Sequence, residues 1–421
     1  MLAGASLSLD GSGRNRHHIG ARVWAAWFRG ICMVFKSLAS LALVAASAGG
    51  AQQAVAGATT PVLIGTYTAG ESRGIALYGF DTATGRLTAT PTQVAPAENP
   101  SWLVLSADKR FLYAVNENSE GQRDPVGRVT AWRVAPGTGR LTFINQTSSL
   151  GADPTHASLS KDGRYLFVAN YSVQADPGGT LSVVPVEKSG AVAPAVQVKT
   201  HRASQANTDR QMSPHVHSAV SSPDGRYIFA QDLGADRIYV YRYDPVNPEA
   251  PLHAMKEQPF VTLPAGSGPR HLVFSGDGRH AYLTLEMTGQ VASFDYVEGR
   301  LTLRQVLPLA APDFHGDLGA GALHLSPDGR FLYVTDRGTD NQIVTFAVSP
   351  TDGTLTFLAR RSVEGRQPRE FTLDPTGRFV LVANQFTHAV VVFRRDPQTG
   401  LVGEKVSSLP VDQASDIVFL K

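Results

Sequence analysis

The chain has 421 residues, one cysteine, 40 Gly, 26 Pro and a formal net charge of +2, with only 18% charged residues. No basic stripe runs through it, which sets nucleic acid aside as a partner, and a single thiol cannot build a disulfide framework. Length alone suggests two or three domains, but a repeat that continues to the C-terminus argues for one.

Residues 1–56 read as a signal peptide. Lys36 precedes an Ala/Leu-rich run from Leu38 to Ala48, and Ala54-Val55-Ala56 follows as a small-x-small cleavage pattern. The run is too short to span a bilayer and stay there. Met33 stands where a shorter leader would start, so residues 1–32 are a mis-assigned start or a long cationic n-region. An uncleaved membrane anchor is the competing reading. The segment holds five Lys/Arg and one acidic residue, so the rest of the chain carries 33 basic and 35 acidic residues. Cys32 would be lost with it, and it is not placed like a lipoprotein cysteine. Cleavage near Ala56 implies a periplasmic or secreted protein with no stable membrane association.

From residue 57 to 421 the chain reads as a single domain. Pro61-Val62-Leu63-Ile64-Gly65-Thr66-Tyr67 is strand-like. A hairpin then recurs six times, as Ser/Asp-x-Asp/Thr-Gly-Arg followed by a β-rich run. Its anchors are Lys109, Gly163, Gly225, Gly278, Gly329 and Gly377, spaced by 54, 62, 53, 51 and 48 residues. Each turn follows a short apolar strand: Trp102–Leu105, Ala157–Leu159, Ser218–Val220, Leu272–Phe274, Ala322–Leu325 and Glu370–Leu373. The Asp-Gly element is a strong hairpin signal, because Gly takes positive φ without a steric penalty. A second turn closes each unit, at Gly85, Gly139, Gly190, Gly299, Gly353 and Gly400, with Asn247-Pro248 in its place in one unit.

There are therefore seven second turns and six first turns. The C-terminal Ala414–Leu420 run reads as a first strand lacking its second, and the Pro61–Tyr67 run as a second strand lacking its first. Joined, they complete a seventh blade. The fold expected is all-β: a seven-bladed β-propeller, four antiparallel strands per blade, closed by pairing of the N- and C-terminal strands. A β-sandwich with similar turns would not keep six copies in phase.

Residues before each first strand and after each second strand must share one end of the blade. First strands are innermost, so these positions line one mouth of the central channel. His156, His215, His217, Arg270 and Arg369 precede first strands. Asn116, Asn170, Asp232, Glu286, Arg337 and Asn384 follow second strands. The sixth blade has only His315-Gly316-Asp317, several residues upstream. Each residue also has a structural reading: Asp after a strand commonly accepts backbone N–H bonds in a turn. Strict alternation would put His215 and His217 on one face, as a metal pair would require. With no cysteine or acidic triplet beside them, no metal and no other cofactor is expected.

The strings Gly65-Thr66-Tyr67, Asn99-Pro100-Ser101, Asn116-Glu117, Ala169-Asn170-Tyr171, Pro214-His215-Val216-His217, Asp232–Arg237, Gly268-Pro269-Arg270-His271, Asp336-Arg337-Gly338, Pro368-Arg369 and Ala383-Asn384-Gln385 stand in order. Together they resemble the seven-bladed propeller lactonase family, which includes cycloisomerase-like 6-phosphogluconolactonases and carboxymuconate-lactonising enzymes. The resemblance implies a metal-independent site at the channel mouth, where His, Arg and Glu act on a lactone. It carries over to Arg270, Glu286 and, of the histidines, to His217. It further implies His156, His215, Asn116, Asn170, Asp232, Arg337, Arg369 and Asn384 as substrate-binding residues. The partner expected is a small-molecule sugar lactone, and a self-closing ring implies a monomer.

Two positions depart from the family pattern: Leu285 stands for the usual Asn before the fifth-blade Glu, and Asp336 for the usual Asn before Arg337. The first would strip a polar neighbour from Glu286, and the second would set a negative charge beside Arg337. Both weigh against a phosphosugar. Other functions considered are a muconate-type lactonising cycloisomerase, which runs the chemistry in reverse, and an exported ligand-binding propeller without catalysis.

Overall fold

The computed structural model describes residues 59–119, 121–171 and 180–420; the expected leader lies outside them. Seven antiparallel sheets follow one another along the chain, each with four strand positions. In two sheets the outermost position is split into two short strands, Arg86–Leu87 with Gln93–Pro96 and Leu252–Ala254 with Phe260–Thr262. The first sheet is the composite one. Thr60–Thr66 pairs on one side with Gly74–Asp81 and on the other with the C-terminal strand Ala414–Phe419. It is blade 1 below, and blades 2–7 follow in chain order. The seven inner strands touch in cyclic order, so the ring closes on itself.

Apolar residues between the sheets hold the ring together. One buried cluster lies at each of the seven blade interfaces. At the closing interface, Phe80 of blade 1 meets Phe379 of blade 7 edge to face at 5.8 Å. Neither ring is exposed. Truncating a buried Phe costs about 3–5 kcal/mol.

The two turn types do different jobs. In the first turn, Ser160 Oγ donates to Asp162 Oδ1 at 2.6 Å, and the same bond recurs at Ser106, Ser222, Ser275 and Ser326. The anchor then takes positive φ, which Lys109 also adopts, at 57°. The second-turn glycine docks on the preceding blade. At Gly190, φ is +87° and a Cβ would lie 2.1 Å from the Phe111 ring. Gly85, Gly299 and Gly400 press in the same way on Phe379, Tyr227 and Phe331. A side chain there would force the blades apart.

The inner strands begin earlier than their apolar pattern suggests: at Pro100, Pro154, Val216, Pro269, Ala320 and Pro368. Residues expected in the loops before them are therefore part of the sheet. The reason is a β-bulge near the start of each strand.

Candidate active site

In every blade the pairing of the inner strand with its neighbour slips by one residue close to the channel mouth. The extra residue is Ser101, Thr155, His217, Arg369 or Ser415 in five blades, and the slip falls at Arg270–His271 and Gly321–Ala322 in the other two. A bulge re-aims the side chain it carries. Six of these residues line one narrow central cavity: Ser101, Thr155, His217, Arg270, Arg369 and Ser415. Blade 6 contributes only Gly321, and His315 is exposed away from the inner strand.

The residues just after the second strands form a rim above this ring. They are Tyr67, Glu117, Tyr171, Leu233, Glu286, Arg337 and Gln385. Bulge and rim side chains meet in two charged groups. In the first, Arg270 Nε lies 3.0 Å from Glu286 Oε2, and His217 Nε2 lies 3.9 Å from the same oxygen. The other carboxylate oxygen, Oε1, accepts from Arg210 at 2.9 Å and from Arg337 at 3.4 Å. Arg210 also donates to the Tyr171 hydroxyl at 3.0 Å. In the second, Arg369 donates to Glu117 Oε2 at 3.0 Å, and the Tyr67 hydroxyl donates to that oxygen at 2.7 Å. The Arg369 guanidinium also sits 5.0 Å over the Tyr67 ring. A cavity of about 620 Å³ opens outward over the first group, lined by Arg210, Glu286, Arg337, Leu318 and Phe386.

Three buried polar atoms in the first group have no well-aligned hydrogen bond to the described residues: Arg270 Nε, Glu286 Oε2 and His217 Nδ1. The Arg270–Glu286 contact is close but misdirected. Burial would raise the Glu286 carboxyl, but Arg337, Arg270, His217 and Arg210 outweigh it and hold the group well below the usual carboxylate range. Burial, reinforced by Arg270, keeps His217 well below the usual imidazole range. Burial and the neighbouring Arg337 bring Arg270 down to about 9, so it remains a cation at neutral pH. The group at pH 7 is thus an ionised carboxylate, a neutral imidazole and protonated guanidiniums.

Beneath the bulge ring lies a second layer, made by the next inner-strand residues. Trp102 packs on His156 at 4.4 Å and on His271 at 5.2 Å. His271 meets His217 edge to face at 5.1 Å. Burial pushes His156 down to about 3, and it lies a layer below the mouth. In the same layer, Glu370 is held by the His324 ring, 2.7 Å from Nε2, and by the Phe371 amide. Among the described residues no group of three or more His, Cys, Asp or Glu is disposed to hold a metal ion.

Several residues singled out from the sequence do not reach the channel. Asn170 and Asn384 have no exposed surface. Asn170 donates to Ser149 O, Thr180 Oγ1 and Ser182 Oγ, and Asn384 to Val363 O. Asn116 donates to Glu98 O at 2.5 Å, although one edge of it borders a cleft described below. Asp232 accepts from the His215 and Ala235 amides and pairs with His201 at 2.7 Å. These residues tie loops to strands, and strand alternation gives the channel to the residue after each of them. Leu285 occupies the same position and joins an interblade apolar cluster, so its side chain is no neighbour of the Glu286 carboxylate. Asp336 does too: it is fully buried, and burial pushes it up to about 6.

His215 and His217 do not share a face. The bulge falls between them, so His215 stacks on Tyr171 with ring centroids 4.6 Å apart and bonds the Tyr171 carbonyl at 2.7 Å. Tyr67, Glu117 and Tyr171 lay inside the sequence strings without being singled out. Arg210 had one trace: it lies in the widest interval between anchors, 62 residues, on the segment crossing to the fourth blade.

Comparison with known families decides the kinship of this ring. The profile described as "Lactonase, 7-bladed beta-propeller" matches residues 61–419. The chain belongs to that family. A curated lactonase relative, 6-phosphogluconolactonase from Bacillus subtilis, is 32% identical over 360 residues, covering 85% of this chain and 97% of the relative. The structure of a periplasmic gluconolactonase from Pseudomonas aeruginosa is 55% identical, with a TM-score of 0.83 and 86% and 98% of the two chains covered. A putative 6-phosphogluconolactonase from Bacteroides fragilis is 35% identical, with a TM-score of 0.78 and 87% and 99% covered. The lactonase family's ring accounts for all seven blades seen here.

Proposed function

We propose that the protein is an exported lactonase that hydrolyses an unphosphorylated aldonolactone at the channel mouth, with His217 as base, Arg270 at the oxyanion and Glu286 as the partner of the base. One observation carries this reading. Three kinds of group that acyl transfer to water requires stand together, and each keeps unmet hydrogen-bonding capacity while buried.

Neutral His217 takes a proton from water as the water oxygen attacks the lactone carbonyl carbon. The carbonyl π electrons move to oxygen, and the buried Arg270 cation meets that charge without reorganising. The carbonyl then re-forms, the ring C–O bond breaks, and His217 returns its proton to the leaving alkoxide. The new carboxylic acid ionises, so each turnover releases one proton. Glu286 is already engaged on both oxygens by Arg270, Arg210 and Arg337. Its charge instead favours the imidazolium that forms beside it. Arg337 and Arg369 hold the substrate's polar groups near the rim.

An unphosphorylated substrate is favoured by the expected leader and by the 55% identity to a periplasmic gluconolactonase, against 32% to a 6-phosphogluconolactonase. Residues 1–56 would then be removed, which mass spectrometry of the exported chain tests directly. A monomer follows from a ring whose every blade is already partnered, and sedimentation checks it.

The decisive assay is proton release from glucono-1,5-lactone and its 6-phosphate, beside the Arg270→Ala variant. Loss of one preorganised donor lowers kcat by about 10²–10³ with little change in KM. If the native protein matches the buffer rate on both lactones, the proposal fails.

A further inference from the structure

A second and larger cavity borders the mouth on the side away from Glu286. It is a cleft of about 1020 Å³ between blades 1 and 2. It starts at Tyr67, whose hydroxyl bonds the Glu117 partner of Arg369, and runs outward past Trp132 to Phe143 and Gln146 on the outermost strand of blade 2. From the second strand of that blade to the fourth is about 10 Å at the usual strand spacing. That is room for more than one hexose ring.

The lining is unusual in its chemistry. Its charges are spoken for: Arg128 pairs with Asp124 at 2.6 Å, Arg123 with Glu98 at 3.1 Å, and Arg73 donates to the Gly70 and Ser72 carbonyls. The amides are not. Gln146, Gln385 and Gln413 line the cleft, and their side chains make no hydrogen bond to the described residues. Two buried atoms on its inner wall, Asn118 Nδ2 and Asn116 Oδ1, also lack a partner among the described residues, although Asn118 is 1% exposed and Asn116 3%. Phe143 lies half exposed across the cleft and is braced edge to face by Trp132 at 5.2 Å.

Free glutamine amides and an apolar ring face, beside charged groups that are already hydrogen-bonded, match a neutral sugar, whose hydroxyls donate and accept while its C–H face packs on an aromatic. We propose that this cleft is a saccharide subsite, and that the natural substrate is a glycosyl-extended aldonolactone. Its lactone ring would sit over Arg270 and Glu286, and its glycosyl part would pass Tyr67 into the cleft. The substrate assignment rests on the lactonase reading; the subsite does not.

The test uses the purified protein and the disaccharide acid cellobionate, with gluconate as the single-ring control. By calorimetry, cellobionate should bind about tenfold or more tighter than gluconate, as one or two added hydrogen bonds and a stacking contact would give. Phe143→Ala and Gln146→Ala should each remove most of that difference, with unchanged melting temperature. Kinetically, both variants should raise KM for cellobiono-1,5-lactone about fivefold or more and leave kcat and KM for glucono-1,5-lactone within about twofold. Equal affinity for the two acids, or equal losses for both in the variants, overturns the subsite. Phe143-dependent binding of cellobionate without hydrolysis of either lactone keeps the subsite and discards the hydrolase and the substrate assigned to it.

Discussion

Replacing Glu286 by Gln tests the division of labour at the site. The carboxylate Oε2 lies 3.9 Å from His217 Nε2. At an effective dielectric of about 20, a unit charge pair at that separation is worth about 4 kcal/mol, or about a thousandfold in rate if all of it favours the imidazolium. The variant also frees Arg270 from its 3.0 Å contact with the carboxylate, which strengthens its pull on the oxyanion and returns part of the loss. The expected fall in kcat is therefore about 10²–10³. The assay is pH-stat titration of glucono-1,5-lactone hydrolysis between about pH 5 and 7.5, where His217 as base requires kcat/KM to be flat above its ordinary pKa of about 6.5 and to fall only at lower pH. The acid limb should move lower still in Glu286→Gln, because the charge that favours protonated His217 is gone.

Stability gives the control. The native carboxyl is held below its unfolded value, so its contribution is fully present above the unfolded pKa, about 4.3, and is lost as pH falls further toward the folded value. Removing one partner of a buried ion pair costs about 3–5 kcal/mol, so the variant should unfold at clearly lower urea at pH 7, and the gap should narrow below about pH 4. Rates are compared only where circular dichroism shows the folded form, with Glu286→Asp as a milder companion. A Glu286→Gln plateau rate within about threefold of native, or a native acid limb centred above about 6.5, would refute the assignment of base and partner.

Two further outcomes are expected. Asp336 is raised to about 6 by burial, so its favourable contribution is present below the unfolded pKa and is lost as pH rises through 6. Asp336→Asn should therefore stabilise the protein by about 2–3 kcal/mol above pH 7 and change little at about pH 4, which thermal unfolding at the two pH values checks. His215 spends its ring on Tyr171 and is 2% exposed, so His215→Gln should cost about 1–3 kcal/mol in urea unfolding while kcat for gluconolactone stays within about threefold.

The ring was legible before any coordinates. Six in-phase hairpins, four of them with Asp-Gly at the turn, seven second turns and two incomplete end strands require a closed array, because turn chemistry and strand length are local properties. So was the blade end at which Arg270, Glu286 and His217 gather, although those three were picked out by the family resemblance. The choice between adjacent residues was not. Asn116 or Glu117, Asn170 or Tyr171, His215 or His217: a period of two says that neighbours face opposite ways, but not which one faces the axis. The bulge sets that phase, and it exists only where an inner strand meets its partner in the sheet. Charge states lay out of reach for the same kind of reason. Whether His217 is neutral and Glu286 ionised depends on burial and on Arg210 and Arg337, which lie 76 and 51 residues from Glu286 and come beside it only when the blades close. Local pattern determined the scaffold; long-range packing decided which groups face the channel and what charge they carry.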